Sequence, residues 1–239
     1  MRPCFSPPSG KLLFKKQAQQ LMSELKRWSV PDLMRQMKLS EEKGNETFHM
    51  IQQWGAKKNQ INSAPALFAY IGEAFKALDA DHLKEEEVAY LNKHLFILSG
   101  LYGLLRANDL IEPYRLEMAQ RGVAPEEQSL YHFWRADVEK NMLKQLTKGE
   151  SLLNLASSEY SDLLQAPKLR SIMYTPHFYE KKNGELKSVS VFSKQARGTM
   201  ARWCAVYNIV QPIDIKSFDA LGYQFSSENS DGNELVFIR

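Results

Sequence analysis

Residues 98–118 read LSGLYGLLRANDLIEPYRLEM, and this stretch crowds glycines, aromatic rings and charges into one segment. Gly100 and Gly103 give the backbone conformational freedom around Tyr102. Charged side chains cost free energy to bury unless they are paired or functional. Those of this segment are Arg106, Asp109, Glu112, Arg115 and Glu117. The stretch therefore predicts either a binding site or a buried turn held by ion pairs.

Two apolar runs predict short buried strands, one at Leu95–Leu98 and one at Leu152–Leu155. The glycine-containing segment follows the first run, and small polar residues follow the second run. Open α/β sheets commonly place ligands just beyond the ends of their strands. We therefore expect both segments to lie where a ligand would bind.

Other patterns predict helices around a sheet. The predicted elements are a helix at 14–28, helices at 31–37 and 41–54, a β-hairpin of strands 172–178 and 186–192, a helix at 194–207 and a last strand at 234–238. Their order is too irregular for a doubly wound sheet. We predict an α+β (mixed α/β) fold, with an irregular mixed sheet and surrounding helices, in a single domain over residues 1–239.

Residues 31–54 are a candidate helix-hairpin-helix element. Pro31 suits the first turn of a helix, and Ser40 can cap the next helix. Lys38, Ser40 and Lys43 lie where such an element contacts a DNA phosphate through its backbone N–H groups. The turn lacks glycine, however, and the two glutamates after Ser40 would repel a phosphate. A plain helical hairpin in the core is the competing interpretation.

The composition limits the function classes. Of the 239 residues 44% are hydrophobic and 25% charged, and no apolar run approaches the ~20 residues that span a bilayer. The first residues contain no stretch apolar enough for a secretory signal. We therefore expect a cytoplasmic protein with no membrane partner, and we favour a monomer, although the sequence does not determine the oligomeric state.

Motifs of the common enzyme classes are absent from the sequence. It contains no GxSxG, P-loop, dinucleotide fingerprint or CxxC, and its five histidines form no HExxH or other close ligand pair. We expect no metal and no cofactor. Cys4 and Cys204 are expected to be reduced thiols, although Arg202 would lower the pKa of Cys204 if the two side chains met.

The net charge of +3 hides an uneven distribution. Residues 1–60 carry 11 Lys and Arg against 5 Asp and Glu, a balance of +6, and residues 168–216 carry 9 against 3, again +6. The remainder has a balance of −9. If the fold brings the two basic regions together, they form one electropositive cleft suited to a polyanion. The alternative is solvated charge on separate faces.

Several short motifs carry a resemblance to a known family. They are YIGEAF at 70–75, LYHFW at 130–134, NLASSEY at 154–160, KQARGTMAR at 194–202 and ALGYQF at 220–225. Together with residues 98–118 they resemble the YaaA family of peroxide stress (hydroperoxide response) proteins, over roughly Ser6 to Arg239. The family's opening motif, close to ISPAKT, corresponds here to FSPPSGKL, which equates the family's lysine with Lys11.

This resemblance implies a protein of the peroxide response that binds duplex DNA by backbone contacts in a basic cleft and limits oxidative (iron and peroxide) damage. The charge distribution is compatible with that role. The residues expected to bind nucleic acid or phosphate are Lys11, Lys38, Ser40, Lys43, Gly100, Tyr102, Gly103, Arg106, Arg115, Asn154, Ser157, Lys194, Arg197 and Arg202.

Two alternatives stay open. The first is an enzyme that acts on nucleic acid or nucleotides, in the manner of base excision, with Glu117 or Glu159 as acid or base and Tyr102 or Tyr114 stacked on an extruded base. Whether the chain is an enzyme is thus undecided, and a non-catalytic role is favoured. The second alternative is an interaction module whose basic regions meet an acidic protein.

Overall fold

The computed structural model describes residues 12–56 and 63–239. The helices in these ranges are α1 (Lys15–Leu25), α2 (Val30–Met37), α3 (Glu41–Gln53), α4 (Ala66–Ala69), α5 (Glu73–Leu78), α6 (Glu85–His94), α7 (Leu130–Gln145), α8 (Ser158–Ser161), α9 (Pro167–Arg170) and α10 (Ser190–Val206). The strands are β1 (Ala64–Pro65), β2 (Phe96–Ser99), β3 (Gly103–Arg106), β4 (Leu110–Ile111), β5 (Leu152–Leu153), β6 (Met173–Lys182), β7 (Glu185–Lys187), β8 (Gln224–Asp231) and β9 (Glu234–Ile238).

The strands form one larger sheet and two small ladders. The larger sheet has the order β5-β6-β9-β8, and β7 pairs with the far end of β6. β6 runs parallel to β5 and β9, whereas β7 and β8 are antiparallel to their partners. β2 and β3 form an antiparallel hairpin, and β1 pairs with β4. Helices surround these mixed sheets, which confirms the predicted α+β class.

The first helices begin where the sequence predicts. Ser29 and Asp32 form a reciprocal capping box at the start of α2, and Ser40 Oγ accepts a hydrogen bond from the Lys43 backbone N–H at the start of α3. Lys38 ends α2 in the left-handed region with φ 52°. Residues 30–53 are therefore a helical hairpin. Phosphate binding by its turn stays a prediction.

The predicted return strand of the β-hairpin is too long. The hairpin turns at Asn183-Gly184, between the two predicted strands, but β7 stops at Lys187 and α10 begins at Ser190, so that Val191 belongs to the helix. Alternation of apolar residues favours a strand there locally. The helical spacing of the buried Ala196, Met200 and Cys204 overrides it, because only a helix places these side chains in one core.

Three buried clusters hold the elements together. The first joins α1–α3 to β2, β3 and α7. The second joins α4–α6 to α10 through Ala201 and Ala205, and the third joins α10 to β6, β8 and β9 through residues such as Phe178 and Phe237. Because α10 contributes to the second and third clusters, its position is determined from two sides.

α10 and α5 approach each other closely at Gly198. A Cβ atom built on Gly198 would lie 1.8 Å from the carbonyl oxygen of Ala74, and this backbone oxygen cannot swing aside as a side chain would. Glycine therefore permits the contact between the two helices. No helix in the described ranges has the length and apolarity that a membrane span requires.

We predict that Gly198→Ala lowers the free energy of unfolding by about 1–3 kcal/mol, because the added methyl group forces the two helices apart. Chemical denaturation measures the effect. Gly72→Ala is the matched control, since no atom lies within 4 Å of a Cβ at Gly72 and its backbone is in the extended region. Equal stability of the two variants would contradict this account of the contact.

Candidate functional site

The glycines that marked residues 98–118 as a candidate site are enclosed by the protein. A Cβ on Gly100 would lie 2.4 Å from the Leu116 carbonyl oxygen. Gly103 has φ +68°, and its Cβ would lie 2.7 Å from Cε3 of Trp134. The Trp134 indole also donates a 2.9 Å hydrogen bond to the Gly100 carbonyl. Close packing and backbone conformation thus account for both glycines.

Hydroxyl groups beside this loop form a network that we call the tyrosine cluster, made of Tyr70, Tyr102 and Tyr114 with Ser99. The Tyr114 hydroxyl lies 2.8 Å from that of Tyr70 and 2.7 Å from Ser99 Oγ. Ser99 Oγ accepts a 2.9 Å hydrogen bond from the Tyr102 backbone N–H. The Trp54 indole donates to the Tyr102 hydroxyl at 3.0 Å. The network links α3, α4 and β2 to the segment after β4.

Burial keeps these phenols neutral. It raises the pKa of Tyr102 to about 12 and raises the pKa of Tyr70 and of Tyr114 as well. Only 2% of Tyr102 is exposed, and its ring lies edge-on to that of Tyr114, with 5.2 Å between ring centroids. In this conformation the Tyr102 ring is not available for stacking on a base.

The two glutamates considered as acid or base lie near one another. Burial, more than any charge, raises the pKa of Tyr160, and the charges of Glu159 and Glu117 raise it further. Glu159 accepts a 3.2 Å hydrogen bond from the Ala119 backbone N–H. This hydrogen bond links the segment after β4 to α8, and an acid or base role for Glu159 stays a prediction.

The polar residues at the end of β5 also shape the backbone. Asn154 Oδ1 accepts a 3.1 Å hydrogen bond from the Ala156 N–H. Ser157 occupies the N-cap position of α8, although its side chain makes no capping hydrogen bond there. Arg115 is exposed on the neighbouring segment.

The N-terminal half of α10 carries Lys194, which is exposed, and Arg197, which is partly buried. Arg197 Nε donates to the Ser193 carbonyl at 3.1 Å. Burial lowers the pKa of its guanidinium, and within residues 12–56 and 63–239 no carboxylate pairs with it. A desolvated guanidinium without a counter-ion is suited to receive an anion.

α5 begins beside these two cations. Glu73 forms a 3.0 Å ion pair with Lys76, which is the main reason that the pKa of Glu73 is lowered. Hydrogen bonding from Gln195 and the charge of Lys194 lower it further. These interactions place the start of α5 next to the first turns of α10.

Two other predicted phosphate ligands are occupied by structural contacts. Arg202 donates to the carbonyls of Leu78 and Asp79, at 3.1 and 2.8 Å, and to the Asp79 carboxylate at 3.3 Å. It therefore closes the C-terminal end of α5. Arg106 lies 4.1 Å from the centre of the Phe96 ring and donates to a backbone carbonyl at 3.3 Å.

The predicted cations of the N-terminal region belong to a different part of the fold. Lys38, Ser40 and Lys43 are exposed around the turn between α2 and α3, which pack on the first buried cluster, whereas α10 packs on the second and third. Lys11 lies outside the described residues. Lys194 and Arg197 lie on α10, whereas the cations of the α2–α3 turn lie on a hairpin that packs on another cluster.

Sequence reasoning did not find the partners of the tyrosine cluster. Trp54 and Tyr70 lie more than 40 positions from the residues whose hydroxyls they meet, Tyr102 and Tyr114. A lone tyrosine or tryptophan carries no signal of which group it will bond. The exposed Ile71, between Tyr70 and the start of α5, was also not anticipated, because an isoleucine within an apolar motif predicts core.

The described part of the chain contains no group of three or more His, Cys, Asp and Glu side chains close enough to hold a metal ion. Cys204 is buried, and burial raises the pKa of its thiol to about 12. Its neighbour in sequence, Arg202, points instead to the end of α5. Cys204 therefore lacks the features of a reactive thiolate.

Comparison with known proteins confirms the family that the sequence motifs resemble. The family model described as peroxide stress protein YaaA matches residues 3–229. A UPF0246 protein of Legionella pneumophila is 39% identical over 239 residues, covering 98% of this chain and 93% of the relative. A UPF0246 protein of Saccharophagus degradans is 38% identical over 222 residues, covering 92% and 87%, and one of Clostridium perfringens is 36% identical over 243 residues, covering 100% and 94%.

We predict that Tyr114→Phe lowers the free energy of unfolding by about 1–3 kcal/mol, because it leaves the hydroxyls of Tyr70 and Ser99 without their shared partner. Tyr207→Phe removes the same atom from a ring that is 64% exposed and serves as the control. Urea denaturation compares the two. A loss no greater than that of the control would show that the network does not support the fold.

We predict that Cys204 in the folded protein reacts with iodoacetamide at least about 100-fold more slowly than in the unfolded chain, because only the thiolate is nucleophilic and burial disfavours it. The measurement uses a Cys4→Ser background and mass spectrometry. As pH rises towards 9, the ordinary pKa of the thiol, both forms react faster, but the folded protein stays the slower at every pH because its thiolate fraction remains far smaller. Rapid labelling of folded protein near neutral pH would contradict this assignment.

Proposed function

Because the chain belongs to the YaaA family of peroxide stress proteins, we propose that it is a cytoplasmic, non-catalytic protein that binds duplex DNA and so limits iron- and peroxide-driven damage. The observation that carries the proposal is the pair Lys194 and Arg197 on α10. One is an exposed cation, and the other is a partly buried cation without a carboxylate partner among the described residues.

The chemistry of these two side chains matches a phosphate diester. A guanidinium can grip phosphate oxygens with two parallel hydrogen bonds, and a lysine adds a mobile point charge. The two residues are one turn apart, so their Cβ atoms are about 5–6 Å from one another. Neighbouring phosphates of one DNA strand are within reach of such a pair. This is recognition of the backbone, which carries no sequence information.

Further cations lie on the β-hairpin that leads into α10. Lys181, Lys182 and Lys187 are exposed at the β6–β7 end, and Glu185 balances one of them through a 3.0 Å contact with Lys187. The hydroxyl of Ser193 donates to the Phe178 carbonyl of β6, at 3.4 Å, so the helix and the hairpin are held together. We propose that the hairpin extends the phosphate-binding surface.

The candidate catalytic groups give little support to the enzyme alternative. Glu159 is engaged by a backbone N–H, and the Tyr102 ring is enclosed. Two grooves of the described structure lie elsewhere: one of about 550 Å³ lies between α1 and the end of α3, and one of about 290 Å³ is lined by Tyr174 and Lys216. Neither groove is lined by Glu117 or Glu159.

We predict that Lys194→Gln combined with Arg197→Gln weakens binding to duplex DNA of any sequence and reduces the slope of log K against log salt by about 2, since each lost phosphate contact removes about 1. Fluorescence anisotropy of a labelled duplex at several salt concentrations measures both quantities. Lys140→Gln with Lys144→Gln is the control, because it removes two exposed charges from α7.

Three outcomes count against the proposal. They are salt-insensitive binding, no binding by the wild-type protein, and an equal loss in the α7 control. Circular dichroism and thermal unfolding of both double variants establish that a loss of affinity does not come from a loss of fold.

A further inference from the structure

Ile71 is 78% exposed, more than any other large apolar side chain in the described part of the chain. Single exposed apolar side chains are common on protein surfaces. Ile71 stands out because the residues on both sides of it are anchored and because the turn that carries it lies beside the first turns of α10.

The turn that carries Ile71 is held from both ends. Tyr70 belongs to the tyrosine cluster and stacks on Phe75, with 4.9 Å between ring centroids. Glu73 pairs with Lys76, and Ala74 contacts Gly198 of α10. Between these anchors, a Cβ on Gly72 would meet no atom within 4 Å. Ile71 therefore projects into open space from a rigid support.

The same turn lies against the candidate phosphate-binding residues. Ala74 of α5 contacts Gly198, and four residues further along both helices the Leu78 carbonyl accepts a hydrogen bond from Arg202. The two helices therefore run side by side in the same direction, and Ile71, three residues before Ala74, lies at the level of Lys194 and Gln195. Val191, which is 41% exposed, precedes Lys194 by one helical turn and adds a second apolar side chain. An apolar projection beside cations is the arrangement with which proteins enter stacked bases.

We propose that Ile71 is a wedge that inserts at a base step of duplex DNA while Lys194 and Arg197 hold the adjacent phosphates. The inference rests on the proposed function and deepens it. Unstacking one step costs free energy, which the phosphate contacts on the bent duplex offset. The wedge favours pyrimidine–purine steps such as TA, which deform most easily, over stiff A-tracts.

Insertion of Ile71 should unstack the bases of one step, a local change that phosphate binding alone does not produce. A short duplex carries one central TA step between A-tracts, with 2-aminopurine as the adenine of that step, and a second duplex carries the probe inside an A-tract. Saturating wild-type protein should raise the fluorescence of the first probe severalfold and leave the second unchanged. Anisotropy of the same samples reports binding independently.

Ile71→Ala should bind both duplexes with the salt dependence of the wild type and should abolish the rise in fluorescence. Ile71→Leu should restore it. Ile213→Ala is the matched control, since Ile213 is 61% exposed and lines the groove of Tyr174 and Lys216, and it should behave as the wild type. Ile71 and Ile213 both project into solvent, so neither substitution is expected to unfold the chain.

The outcomes separate the two proposals. Binding without a fluorescence rise, or a rise that persists in Ile71→Ala, overturns the wedge and leaves the proposed function standing. Absence of salt-dependent binding by the wild type overturns the proposed function itself. If Ile71→Ala instead abolishes binding to phosphatidylglycerol vesicles and leaves DNA unaffected, Ile71 serves a lipid surface and the wedge is wrong.

Discussion

The shared hydrogen bonds of the Tyr114 hydroxyl are the constraint on which the candidate surface depends. This one group contacts Tyr70 and Ser99, and Ser99 in turn receives the backbone N–H of Tyr102. Buried hydroxyls must be paired, so four chain segments are held in one arrangement. Because Tyr70 immediately precedes Ile71 and the start of α5, a network in the interior determines the position of a turn at the surface.

The second constraint is the close approach of α5 and α10 at Gly198. The tyrosine cluster positions the start of α5, and through this contact α5 positions α10, the helix that carries Lys194 and Arg197. Arg202 strengthens the same junction by closing the end of α5. Successive turns of α10 therefore serve different purposes: the first carry Lys194, which is exposed, and Arg197, which is partly buried, the next contacts the α5 backbone at Gly198, and Arg202 caps the end of α5. The charge of a residue in a family motif does not by itself indicate that the residue binds a ligand.

The glycine-rich stretch illustrates that distinction. Dense glycine, aromatic and charged residues are typical of binding loops and equally typical of tightly enclosed turns. Gly100 and Gly103 belong to the second kind, since a carbonyl group and the Trp134 ring occupy the space that a side chain would need. The difference depends on Trp134 in α7, 31 and 34 positions further along the chain. No local pattern around the glycines contains that information.

Short-range information in the sequence was sufficient to predict the family, the α+β class, the capping of α3 by Ser40 and the strands that the structure has at 96–99 and 234–238. These features follow from spacing and caps within a few residues. Tertiary structure alone decided where β7 ends, which arginines are occupied, and that Ile71 stands exposed between two anchored neighbours. The physical reason is that burial and pairing are relations between groups remote in the sequence, and such relations exist only once the chain has folded.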